Sequence, residues 1–150
     1  MLVRRRTQRS RNAVSAFEAA IVLSVFLTLV VGMLEMGICV FQYHLVAAAA
    51  REAARQGIVH GEYSSSPWGP ATIGPVNGND TSPLAQAVMA ILVGVDPQTV
   101  TIQAAWLDGD NEVDHRLQVT VSILSNPGIT SFLGIASFTL SSQTTMQITH

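Results

Sequence analysis

The 150-residue chain carries eight arginines and no lysine against ten acids, for a formal net charge of −2, with one cysteine and 48% hydrophobic residues. A lone Cys39 excludes an intrachain disulfide and a cysteine-built metal cluster. Once one long apolar segment is set aside, the length leaves room for a single small domain of roughly 90 residues.

The charge is unevenly divided. Arg4, Arg5, Arg6, Arg9 and Arg11 precede residue 12 without an accompanying acid. From Val14 onward three arginines face all ten acids, a balance of −7. A basic head before an apolar run reads as a cytoplasmic flank under the positive-inside rule. The acidic remainder argues against a nucleic-acid-binding arm.

Residues 14–57 are predicted to form one long helix behind a basic leader, residues 1–13. The stretch Arg11 to Gly57 holds no proline, and its many alanines and leucines favour helix. Ala19 to Leu34 is free of charge, Glu35 interrupts, and the next charge is Arg51. About 20 residues, placed near 17–38, suffice to cross a membrane. Glu35 then falls near the outer interface, and Cys39 packs as a small apolar side chain. The second half of the helix is amphipathic: His44, Arg51 and Arg55 lie on one side, Leu45, Val46, Ala49, Ala50 and Ala53 on the other. Gly57 reads as the helix stop. In the membrane half, Ala16, Ala20, Ser24, Thr28 and Gly32 recur every four residues as a ridge of small side chains, which in lipid lets helices pack closely.

An ordinary secretory signal peptide does not fit, because its apolar region would be nearly 30 residues long and contain Glu35, against the usual 7–15. An uncleaved anchor and a prepilin-like signal both remain open. Glu18 bears on the second. The segment Arg11-Asn12-Ala13-Val14-Ser15-Ala16-Phe17-Glu18 resembles the leader junction of type IV prepilins, in which cleavage follows a small residue, usually glycine, and glutamate is fifth in the product. Counting back from Glu18 places the cut between Ala13 and Val14, with alanine at the position where glycine is usual. Further on, MLEMGICVF (Met33 to Phe41) and AAREAARQG (Ala49 to Gly57) resemble the TadE-like pseudopilin family.

Residues 58–81 are rich in glycine, proline and serine and read as a loop, with Trp68 as its pinned apolar residue. Ser82 followed by Pro83 predicts a helix start, Leu84, Val88, Ile91 and Leu92 form its apolar face, and Gly94 ends it. From Thr99 the period becomes two. Val100, Ile102, Ala104 and Trp106 share one face, as do Leu117, Val119, Val121 and Ile123, and then Phe138, Leu140, Met146 and Ile148. Three half-buried strands beside a long helix predict an α+β, pilin-like fold: the outer half of the N-terminal helix packed on a small antiparallel sheet, with residues 82–150 forming the extracytoplasmic domain. The tail from Leu117 to Gln147 also resembles TadE-like proteins, in a proline-containing loop with an L-G step and a final L-S-x-x-x-x-M pattern.

Asp108, Asp110, Glu112 and Asp114 alternate through the first strand connection. Alternating carboxylates can converge on calcium, but the full calcium-loop pattern is lacking and Asp108-Gly109 is a hairpin signal. Turn chemistry is the reading adopted. His44, His60, His115 and His150 are scattered singly and read as surface residues. No nucleophile elbow, phosphate loop or zinc spacing occurs, so neither an enzyme nor a cofactor is expected.

The resemblance implies a minor pilin or pseudopilin for tight-adherence (Flp-type) pili. It would be single-pass in a bacterial inner membrane, with its N-terminus cytoplasmic. Its implied partners are a prepilin peptidase, other pilins and pseudopilins, a secretion ATPase and the inner-membrane assembly platform. The competing expectation is an uncleaved single-span envelope protein whose outer domain binds a partner protein or surface ligand.

Overall fold

A single helix, α1, runs from Val3 to Val59 in the computed structural model, which describes residues 3–69, 72–126, 128 and 137–149, with side chains from residue 13 onward. The helix thus begins ahead of the expected residue 14 and continues two residues past Gly57. The side chains of the five leading arginines, Pro127, the L-G step at Leu133-Gly134 and His150 lie outside the described residues. The chain divides into two units, Met1–Gly37 and Ile38–His150.

In the first unit α1 stands as an apolar rod. Its large side chains are exposed, Phe17 at 69% and Phe26 at 58%. The second unit is an α+β fold. Strands β1 (Ile73–Asn77), β2 (Val100–Trp106), β3 (Arg116–Ser125) and β4 (Phe138–Gln147) form an antiparallel sheet in the order β1-β2-β3-β4. Helix α2 (Pro83–Ile91) and a single 3-10 turn at Pro97–Thr99 link β1 to β2.

The core follows from two periodicities. On α1, Val46, Ala49, Ala50, Ala53 and Ala54 are fully buried, at the three- and four-residue spacing that makes one helix face. On β2 and β3 the inward residues alternate as predicted, from Val100 to Trp106 and from Leu117 to Ile123. Leu84, Val88 and Leu92 close the core beside α2, whose N-cap Ser82 accepts from the Ala85 amide. The small side chains of α1 let its backbone approach the sheet. Gly57 extends that face: a Cβ there would overlap the Leu117 side chain, so this glycine is a close-packing position inside the helix and not its stop.

Two expectations need correction. Residues 58–81 are not all loop, because they include β1, and the sheet has four strands instead of three. Strand β1 escapes a period-two reading because its register with β2 shifts between Ile73 and Val76, and it contains Pro75. Proline is tolerated there because β1 is an edge. The histidines are also not uniformly surface residues, since His60 and His115 are both half-buried.

Candidate functional site

Two regions carry the chemistry that the sequence points to. The first is the membrane-length part of α1. Helical residues Ala13–Val59 are long and apolar enough to cross a membrane, and none of the most apolar window is buried within the protein. The helix of a soluble core would have that window covered by its own fold, whereas here it is open to the surroundings. Ala13, Val14 and Glu18 all lie on α1 with exposed side chains. Ala16, Ala20, Ser24, Thr28 and Gly32 are exposed as well. The two hydroxyls in the ridge are satisfied by their own helix: Ser24 Oγ donates to the Ile21 carbonyl and Thr28 Oγ1 to the Ser24 carbonyl, each at 2.8 Å. Neither therefore carries an unmet donor into lipid, where that would cost several kcal/mol. A Cβ at Gly32 would meet nothing within 4 Å, so the ridge is bare there.

The second region is the β2–β3 hairpin and the loop packed against it. The four alternating acids have separate tasks. Asp108 takes Arg116, accepting from Nη2 at 2.7 Å, Nε at 3.1 Å and the backbone amide at 2.8 Å. Those hydrogen bonds hold its carboxyl at a pKa of about 2. Asp110 is ion-paired to His115 Nδ1, and this hydrogen bond raises the imidazole pKa. Asp114 adopts a left-handed backbone, φ 72°, and its amide donates to the Ile148 carbonyl. Glu112 lies near the Asp110–His115 pair, the ligand-type atoms of the three falling within 4.8 Å of one another. Asp108 with Arg116 and Asp110 with His115 thus form two pairs within the hairpin, beside the left-handed turn at Asp114.

Sequence reasoning missed Asn111. It is 6% exposed. Its Oδ1 accepts from Trp106 Nε1 at 2.9 Å, while its Nδ2 donates to the carbonyls of Trp68 at 2.6 Å and His60 at 3.2 Å. Trp68 stacks on His60, with ring centroids 4.4 Å apart, which makes Trp68 a packing anchor. The available signal was Trp106 itself, because an inward-facing indole N–H needs an acceptor. Beside Asn111 lies a cleft of about 260 Å³, lined by Glu62, Pro67, Gly69, Asp110 and Glu112 as well.

No curated protein and no solved structure matches this chain. The family model described as TadE-like protein matches residues 13–55, which cover Ala13 to Glu18 and most of the AAREAARQG stretch. That stretch of α1 is similar to TadE-like proteins, the family that the motifs of the helix resemble.

Proposed function

We propose that this protein is a minor pilin or pseudopilin of the tight-adherence pilus, inserted by α1 with its N-terminus cytoplasmic and its α+β unit on the outer side of a bacterial inner membrane. The observation that carries this reading is the family match over residues 13–55, together with an exposed apolar helix of membrane length. The role is structural, not enzymatic.

Cleavage between Ala13 and Val14 by a prepilin peptidase would remove five arginines and create a free amine on Val14. In lipid, that amine and the Glu18 carboxylate of a neighbouring copy would each be costly alone and stabilised as a pair. Glu18 would thereby set the register between adjacent helices, and the small-residue ridge would let them approach. Other pilins, pseudopilins and the inner-membrane platform are the partners this role requires.

The test is intact mass and N-terminal sequencing of the membrane-extracted protein, expressed with its cognate prepilin peptidase. A mature N-terminus at Val14 is expected. An intact or merely Met-trimmed N-terminus would replace this mechanism with a static single-span anchor whose outer unit binds a partner.

A further inference from the structure

Contacts at the two ends of β3 fix how the sheet lies along α1 within the outer unit. Near the start of the strand Leu117 packs against Gly57, and at its end Ser125 Oγ donates to Gln42 Oε1 at 2.8 Å. From Gly57 back to Gln42 the helix covers about 22 Å, and from Leu117 to Ser125 the strand covers roughly 27 Å. The two elements therefore run side by side in opposite directions. The end of β3 returns to the residues by which α1 enters this unit, beginning at Ile38. The two ends differ in charge. The β2–β3 hairpin, at the Leu117 end, carries Asp108, Asp110, Glu112, Asp114 and Arg116. From Leu117 to His150 the chain holds no Asp, Glu, Lys or Arg. At the Gln42 end, Leu124 and Phe138 are exposed on adjoining strands, and Ile38 and Phe41 are exposed on α1. Asp80 and Asp96 belong to the β1–β2 margin, where they accept from the Ser82 and Gln98 amides.

We propose that Leu124, Phe138, Ile38 and Phe41 form an apolar rim that rests in the outer headgroup layer of the bilayer, a second and non-spanning contact of the outer unit with lipid. The inference rests on α1 being a membrane span, as proposed above. Two observations select lipid as the occupant. The first is position. Gln42, which holds Ser125, lies one helical turn past Ile38, about 6 Å along the axis. With the hydrocarbon ending near residue 38, the headgroup layer extends about 5–7 Å further and reaches the level of the rim. A folded partner would have to enter a gap narrower than one helix, about 10 Å across. The second is composition. Exposed apolar side chains gain by leaving water for the interface, whereas a carboxylate would be costly there. The β3–β4 margin has the first kind and none of the second, and the acids stay two strands away. Contact through one margin would fix the rotation of the outer unit about the axis of α1.

The experiment uses the full chain with Cys39→Ser as background, reconstituted in vesicles of phosphatidylethanolamine and phosphatidylglycerol in equal parts. A bimane fluorophore is attached in turn at Leu124→Cys, Phe138→Cys, Thr145→Cys and Leu27→Cys. Thr145 is exposed on the same sheet face as Leu124, toward the other end of β4. Fluorescence is quenched by iodide from the water, or by lipids carrying a nitroxide just below the headgroup or at mid-chain. The shallow lipid is expected to quench the labels at 124 and 138 several-fold more than the label at 145, and iodide to quench them less. The label at 27 should respond most to the mid-chain lipid. Adding Leu124→Asp to Phe138→Cys should lower shallow-lipid quenching at 138 several-fold, and Leu124→Trp should preserve it. Labels at 124 and 138 open to iodide, beside a lipid-buried label at 27, overturn the rim and leave the span standing. A water-exposed label at 27 overturns both. Equal quenching at 124, 138 and 145, or an aspartate at 124 that changes nothing, also overturns the proposal.

Discussion

Trp106 donates its indole N–H to the side-chain oxygen of Asn111 at 2.9 Å, five residues further along the hairpin. Asn111 in turn donates to two carbonyls of the 60–69 loop, and its own carbonyl accepts from the Glu62 amide at 3.1 Å. One nearly buried amide thus joins the hairpin, the loop and the end of α1. Asn111→Ala would remove the acceptor of the indole donor and the side-chain donor to the Trp68 carbonyl, while the His60 carbonyl would still accept from the Trp68 amide, at a cost of about 2–4 kcal/mol. Thermal unfolding of the detergent-solubilised protein should show the midpoint falling by roughly 5–10 °C. An unchanged midpoint would mean that water replaces the amide.

Close approach between α1 and β3 makes a contrasting pair of glycine variants informative. Gly57→Val forces a branched side chain into the buried Leu117 and should destabilise the outer unit by about 1–3 kcal/mol. Gly32→Val meets no neighbouring atom and should leave unfolding of that unit unchanged. Equal effects in a denaturant titration would refute this account of the helix–sheet contact.

Acid and alkali should act on different pairs. Hydrogen bonds from Arg55 and Gln56 hold Glu52 at a pKa of about 2, and Arg116 does the same for Asp108. Both groups titrate lower folded than unfolded, so their contribution is present above the ordinary carboxylate range and is lost as pH falls toward 2. His115 has the opposite sign. Its pKa is raised by Asp110, so its contribution is full below the ordinary histidine value of about 6.5 and is lost as pH rises through the raised value. His115→Asn should flatten the neutral-to-alkaline limb of stability against pH and spare the acid limb. All these pairs are exposed enough for salt to weaken them.

Glu18 and the centre of the apolar helix should separate assembly from insertion. Glu18→Ala is expected to insert normally yet fail to enter pili, read by membrane fractionation beside immunoblots of sheared pili. Leu27→Arg places a charge mid-span at a cost of about 2.5–3.5 kcal/mol and should reduce insertion itself. Normal incorporation of the Glu18 variant would remove its role in subunit register.

Periodicity alone determined much of this protein. The apolar helix, the buried face of Val46, Ala49, Ala50 and Ala53, the Ser82 cap and the alternating faces of β2 and β3 all follow from local spacing, because a helix or strand displays its pattern wherever it packs. The motifs around Glu18 and through AAREAARQG carried the resemblance to TadE-like proteins in the same way, and the family model matches that stretch. Tertiary structure decided what no single segment states. Strand β1 exists because β2 offers it an edge, and its bulge and proline hide the alternation that would announce it. Gly57 reads as a stop until Leu117, sixty residues away in the chain, is seen against it. Asp108 and Asp110 look like equivalent acids until Arg116 and His115 claim one each. Asn111 is an ordinary turn residue until a buried indole and two distant carbonyls converge on it. Such roles are set by which groups folding brings within about 3 Å of one another, and hydrogen bonding at that distance has no signature in the spacing of the chain.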